Sequence, residues 1–360
     1  MKRRIHRIPG QLCRQVKRAI GGARNVILRA TGDSLRPKWI VFEVTDRCNS
    51  RCVHCNIWRR TPTENVLIPE RIGLTFSDVL FKDVECVIVT GGEPTVRDDL
   101  EEIYLRMHEA LPKAVLQLST NGLQPERVIN IVKTALAHGI RFEVGVSLDG
   151  IGDEHDRIRG VKGNFQRVDR LLHELVELRE NHRDRLGVDV GIVISDLTLP
   201  SVAEVRRYAK ELDIGLTEAW YNEAPYYDNL GGKIPVSNKL IRTVESQRSS
   251  LLQERWLDGL RGKSIKFPCF AMYTFFLLKC NGDVSPCLKF SNLRAGNVRQ
   301  KTPTEIWCSS EAKKVRKTVK DCQGCLNSWG AGWSFESSYY PFLLSYLKRP
   351  RTLIDKWARH

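Results

Sequence analysis

Between residues 39 and 223 the chain alternates six apolar, β-branched runs with stretches of helical period, and this alternation limits what it can fold into. The runs are WIVFEVT (39–45), VECVIVTGG (84–92), VLQLSTNG (115–122), RFEVGVSLDG (141–150), DVGIVISDL (189–197) and LTEAWYNE (216–223). Between them lie DLEEIYLRMHEAL, QPERVINIVKTALAHG and FQRVDRLLHELVELRENH, each with an apolar stripe at helical spacing. Near-continuous apolar strands need cover on both faces, and helices in the connections supply it. The pattern therefore predicts a parallel α/β sheet, either open and doubly wound or a partial barrel. Polar punctuation follows the strands: a cysteine loop, then TGGEPT, STNG and SLDG. Parallel α/β folds build their sites at the C-terminal ends of strands, so these four stretches are expected at one mouth.

The first of them, DRCNSRCVHCNIW (46–58), sets Cys48, Cys52 and Cys55 in a C-x3-C-x2-C loop directly after the first run. A disulfide needs two thiols and structural zinc needs four ligands. His54 is available as a fourth, but it lies between Cys52 and Cys55 and would strain a tetrahedron. A four-iron cube held by three thiolates instead keeps one iron open for an outside ligand. No apolar run approaches the roughly 20 residues of a membrane span, and MKRRIHRIPGQL lacks the apolar centre of a secretion signal. A cytoplasmic location is the default expectation. In that reducing compartment, clustered cysteines among the eleven speak for metal rather than disulfides.

CNSRCVHC, together with GGEP at 91–94, resembles the radical S-adenosylmethionine (radical SAM) enzymes, and the resemblance covers roughly residues 38–225. It implies a partial (β/α)6 TIM-like barrel in which Cys48, Cys52 and Cys55 hold a 4Fe-4S cluster whose open iron chelates SAM. An electron from the cluster would cleave SAM to methionine and a 5′-deoxyadenosyl radical that takes hydrogen from the substrate. Gly91, Gly92, Glu93 and Pro94 would form the ledge for the SAM amino group, with glycine letting the backbone approach the ligand closely. SLDGIGDEHDRIRGVKGNF resembles a segment in the branch with C-terminal auxiliary clusters, and implies that Ser147 and Arg159 contact the SAM carboxylate or ribose. His54 occupies the place of an aromatic residue beside adenine. Asn121 of STNG would join the same site, although Asn-Gly is also a common turn. VGIVISDL (190–197) resembles the adenine-flanking strand only loosely and is given no role.

Cys269, Cys287, Cys322 and Cys325 form a second group, with Asn-Gly-Asp at 281–283 signalling a hairpin that presents Cys287 opposite Cys269. Spacing alone does not separate a four-cysteine zinc knot from an iron–sulfur site. This group resembles the SPASM/twitch extension of radical SAM enzymes. LNSWGAGWSFESSYY after Cys325 holds no further cysteine, which favours the shorter twitch form with one auxiliary 4Fe-4S cluster on those four residues. Cys13, Cys86 and Cys308 read as small buried hydrophobes. Cys280 reads as a substitute ligand or as a hydrogen donor to substrate.

The net charge of +15 is concentrated in the tails. Residues 1–38 hold eleven Lys/Arg against Asp33 alone, and residues 339–360 hold five against Asp355. Leu12, Val16, Ala19/Ile20, Ala23, Val26/Ile27 and Ala30 form an apolar stripe, with Arg14, Lys17, Arg18, Arg24 and Asn25 opposite. Such a helix suits a membrane surface, packing on the barrel, or a polyanion, and Gly21-Gly22 weakens it as one long helix. The near-neutral body lacks the basic face that RNA binding needs. The expected organisation is a basic segment at 1–37, a radical SAM core at 38–235, a helical connector at 236–265, an auxiliary-cluster domain at 266–338 and a basic aromatic tail at 339–360. The expected function is oxidation or other modification of a small, sugar-like or lipid-linked metabolite. Peptide modification, tRNA modification and electron carriage are the alternatives. The resemblance further implies a reductant such as flavodoxin or ferredoxin.

Overall fold

The computed structural model describes residues 21–31, 35–232, 234, 237–246, 257–259, 261, 263, 268–322 and 328–338. All six runs form strands: β1 (Trp39–Thr45), β2 (Cys86–Gly91), β3 (Val115–Thr120), β4 (Phe142–Ser147), β5 (Leu186–Ile194) and β6 (Gly215–Trp220). Each pairs in parallel with its predecessor, in the order β6-β5-β4-β3-β2-β1. A doubly wound sheet reverses its order partway. This strictly sequential winding is that of the partial barrel.

The helices cover the outer face as their periodicity requires. Leu100–Ala110 buries Leu100, Ile103, Tyr104 and Met107, the i, i+3, i+4, i+7 stripe, and Tyr104 meets Phe142 of β4 edge-on at 4.8 Å. Each such side chain removed from water contributes about 1.5–3 kcal/mol. Pro125–Ala137 starts on Pro125, whose fixed φ suits a first helical turn. Every residue of β1 is buried, as expected of a strand covered on both faces.

The C-terminal part joins the same sheet. β7 (Phe275–Leu278) pairs in parallel with the free edge of β1, with Val41 opposite Leu277. The expected hairpin then returns as β8 (Asp283–Ser285), antiparallel to β7, and β9 (Gly296–Asn297) makes nine strands among the described residues. Gly282, at φ +92°, makes the turn, where any other residue would be strained. The boundary expected at 266 therefore does not interrupt the sheet. Within the connector, Asn238–Ser246 is helical and Leu240 and Leu257 are buried.

Residues 21–31 form a helix whose inner face differs from the apolar stripe read in the sequence. Gly22 is buried, Asn25 donates to the Ser337 carbonyl at 3.1 Å and Val26 packs on the core, whereas Ile27 is 62% exposed. Asn25 faces inward because a backbone carbonyl awaits it there. Cys308, expected to be buried, is exposed at the end of its helix, and Cys86 is half-buried. Cys13, the rest of the N-terminal segment and the tail at 339–360 lie outside the described residues. Among those described, no helix is long and apolar enough to cross a membrane.

Candidate active site

The loop after β1 carries Cys48, Cys52 and Cys55 onto one wall of a cavity of about 240 Å³ at the C-terminal ends of the strands. His54, Gly91, Gly92, Glu93, Asn121, Ser147 and Arg159 line the same cavity; Pro94 is buried just beyond it. The four punctuating stretches do meet at one mouth.

Backbone contacts from two neighbouring strand ends hold the cysteine loop. Gly92 N donates to Thr45 O at 2.8 Å and Glu93 N to Arg47 O at 2.7 Å, while Arg51 N and Val53 N donate to Arg159 O and Ile158 O. A Cβ on Gly91 would stand 2.0 Å from Thr45 O, and one on Gly92 would stand 2.0 Å from Arg47 O. These glycines are therefore required by the close seat of the cysteine loop, which is a different reason from approach to a ligand. Ser50 fastens the loop's centre: its hydroxyl donates to Arg159 O at 2.9 Å and lies 3.2 Å from Cys52 Sγ.

Glu93 is 1% exposed and accepts from Thr95 N, Thr95 Oγ1, Thr120 Oγ1 and Asn121 N at 2.7–3.1 Å. Burial raises its pKa, and these donors oppose the rise. The carboxylate thus ties the end of β2 to the end of β3. Asn121 continues the tie, donating to Asn49 Oδ1 at 2.8 Å inside the cysteine loop.

Arg159 forms a buried pair with Asp149 at 2.7 Å and reaches Cys52 Sγ at 3.6 Å. Asp149 is fully buried, accepts from Val193 N and lies 3.8 Å from His54 Nε2. Burial would raise the Asp149 pKa, but Arg159 and then His54 hold it below the usual value. Desolvation lowers that of His54, leaving a neutral imidazole beside the cysteines.

Burial pushes the Cys48 thiol up to about 12 and that of Cys55 to about 11. Among the described residues no three His, Cys, Asp or Glu side chains already stand in an ion-holding arrangement. Each thiol gives up its proton when it ligates iron. Three soft sulfurs of one loop facing a cavity, with a guanidinium against Cys52, fit an iron–sulfur cluster. Bound there, it supplies single electrons and an open iron for SAM.

In the second group, Cys269 precedes β7, Cys287 follows β8, and Cys322 follows the helix Ser310–Lys320. Cys269 and Cys287 both pack against the main core, and Cys322 is close enough to raise the Cys269 pKa further beyond the effect of burial. Cys325 lies outside the described residues. Cys280 does not line the cavity; it is 2% exposed, with Sγ 3.5 Å from Glu43 Oε1. That placement removes it from direct contact with a substrate in the cavity.

The sequence reading missed three contributions. Asp149 anchors Arg159, and its signal was a carboxylate two residues past a strand end. Gly191, Ile192 and Val193 of β5 line the cavity, although VGIVISDL was given no role. Trp58, Trp220, Tyr221, Tyr226, Tyr227 and Trp329 also line the cavity, assembled from three distant segments, and Tyr226, Tyr227 and Trp329 pack in one cluster with Cys55.

Residues 42–212 match the radical SAM superfamily, and residues 269–326 match SPASM, an iron-sulfur cluster-binding domain. The Fe-coproporphyrin III synthase of Methanosarcina barkeri is 37% identical over 139 residues, which is 38% of this chain and 34% of that protein, about a third of its length. The AdoMet-dependent heme synthase of the same organism is 24% identical over 318 residues, 80% of this chain and 87% of that one. Streptococcus suis SuiB bound to its precursor peptide SuiA shares the fold, with TM-score 0.60 and 19% identity over 83% of this chain and 70% of that one. With the cysteine loop, the GGEP turn and the sequential barrel in place, the chain belongs to the radical SAM superfamily, as an enzyme with a C-terminal SPASM iron–sulfur domain.

Proposed function

We propose that the enzyme oxidatively modifies a small, planar, conjugated carboxylic acid of the tetrapyrrole type. The observation that carries this reading is the group of aromatic side chains lining the cavity beside Cys55, with the exposed Arg51 and Arg59 guanidiniums 6.0 and 4.7 Å from the centre of the Trp58 ring. Aromatic faces stack on a conjugated ring, and rim guanidiniums take its carboxylates in bidentate pairs. The two Methanosarcina barkeri relatives, one named for an iron coproporphyrin and one for heme, support the same substrate class. Cys48, Cys52 and Cys55 hold the cluster that serves SAM cleavage, with Gly91 to Pro94, Asn121, Ser147, His54 and Arg159 around SAM. Cys269, Cys287, Cys322 and Cys325 supply a second electron-transfer centre. A flavodoxin- or ferredoxin-like protein delivers the electrons.

The test is anaerobic incubation with SAM and dithionite, with and without a panel of tetrapyrrole carboxylic acids. A fitting acid is expected to raise 5′-deoxyadenosine formation at least tenfold and to be consumed, with its KM raised by Arg59→Ala. Stimulation by peptides and by none of these acids would replace this reading with peptide modification, which the fold shared with peptide-bound SuiB favours.

A further inference from the structure

Cys269 opens a tight turn that three helices grip. Tyr273 N and Thr274 N both donate to Phe270 O, and Met272 takes a left-handed φ of +60°. From the helix Ser310–Lys320, the buried Arg316 donates to Met272 O at 2.7 Å. From Ser328–Ser338, Ser334 accepts from Phe270 N and Ser337 bonds Thr274. From the helix at 21–31, Arg29 Nε donates to the carbonyl of Cys269 itself at 2.7 Å.

Arg29 does more than fasten this turn. Its guanidinium lies 5.9 Å from the Phe270 ring centre and 5.8 Å from that of Tyr273, a half-buried setting between aromatic faces. Among the described residues it forms no ion pair with a carboxylate. The aromatic faces hold the cation in place by the attraction of their ring quadrupoles, and its charge lies near enough to act on the Cys269 sulfur, whose pKa burial raises and Arg29 in part lowers. The anionic group the chain can place here is a cluster on Cys269. A thiolate-ligated iron–sulfur cluster is anionic, and its reduced form carries one more negative charge than its oxidised form.

We propose that Arg29, carried by an N-terminal helix outside both matched domains, is a positioning residue that raises the reduction potential of the auxiliary cluster. It holds the first ligand's turn by its backbone and favours the reduced cluster by its charge. The inference rests on the reading that Cys269, Cys287, Cys322 and Cys325 ligate that cluster. It also gives the basic N-terminal segment an internal electrostatic role.

The test uses the full chain carrying C48A, C52A and C55A, so that only the auxiliary cluster reports, in a redox titration followed by electron paramagnetic resonance. Arg29→Gln keeps a donor for the Cys269 carbonyl without the charge, and Arg29→Lys keeps the charge. With Arg29→Gln the reduced-to-oxidised ratio at a fixed potential is expected to fall about tenfold, a shift of about 59 mV for a one-electron couple. Arg29→Lys should stay within about threefold of the parent, where a purely structural role would move both variants alike or neither. Retained iron with unchanged potential in Arg29→Gln overturns the proposal alone. Absence of iron from the parent overturns the ligand reading and the proposal with it. If Arg29→Gln fails to hold iron, Arg29→Lys decides: parental iron and potential support the charge, and lost iron in a folded chain overturns it.

Discussion

Cys48, Cys52 and Cys55 fall within eight positions of one loop, whereas Cys269, Cys287 and Cys322 come from the two ends of a hairpin and the end of a later helix. Backbone bonds seat the first group, with Ser50 and Asn121 adding side-chain ties: the turn after β2 and the segment before Gly160 bond to the loop's main chain. A Cβ at Gly160, which has φ +68°, would meet Arg51 O at 2.4 Å, so this seat also depends on an absent side chain. Side chains hold the first turn of the second group, reaching Cys269–Thr274 from helices near both ends of the chain. A loop gripped by backbone can be read from a short motif. A turn gripped by distant side chains cannot.

The largest expected effect tests whether the two groups are independent. Replacing Cys48, Cys52 and Cys55 together with alanine should abolish 5′-deoxyadenosine formation and lower reconstituted iron from about eight atoms per chain to about four. Replacing Cys269, Cys287 and Cys322 should also leave about four, with SAM cleavage still measurable. Iron analysis and chromatography of the products read both arms. A wild type that holds only four atoms breaks the comparison, because one group then carries no cluster.

A smaller effect sharpens the backbone half of the comparison. Gly92→Val places side-chain atoms against Arg47 O, one residue before Cys48. Iron at the first group and SAM affinity should therefore fall together, the latter at least tenfold, while the auxiliary cluster's potential is untouched. Equilibrium dialysis and iron counts on one preparation decide it. Weakened SAM binding at full iron content would mean that Gly92 serves the ligand rather than the loop.

The smallest effect concerns the side of the first site where Asp149 N donates to His155 Nδ1 at 3.2 Å. Burial, and then the nearby Arg159, lower the His155 pKa from 6.5 to about 4. The unfolded chain takes up this proton below pH 6.5 while the folded chain resists until about pH 4. Stability is thus unaffected above 6.5 and lost as pH falls through this window, by up to about 3 kcal/mol. Melting curves from pH 7 to 4 should show a shallower loss in His155→Asn, which keeps an acceptor for Asp149 N. An unchanged slope would mean that His155 does not set the acid sensitivity of this corner.

The barrel was legible because its strands are local runs rich in apolar, β-branched residues, with the first buried along its whole length. Runs such as WIVFEVT admit few other environments, and the order of strands and helices dictates their winding. The site's inner wall was legible for the same reason, since strand ends in a parallel sheet share one edge. Arg159 was placed in the site, but its pairing with Asp149 and its reach to Cys52 depend on a helix that folds back beneath the cysteine loop. Asn25 and Ile27 were misassigned because helical periodicity separates faces without saying what each face meets.

The sequence by itself determined the chemistry of this protein: three crowded thiols after a buried strand, a glycine turn beside them and a second cysteine group behind a hairpin. Covalent spacing and backbone sterics act over a few residues and leave their mark in the order of letters. The tertiary structure alone decided that β7 would extend the barrel sheet from β1, and that Tyr226 and Trp329 would face the same cavity. It alone also brought Arg29 to Cys269. These contacts join residues far apart in the chain, and their energy comes from burial and charge that exist only once the intervening segments have packed.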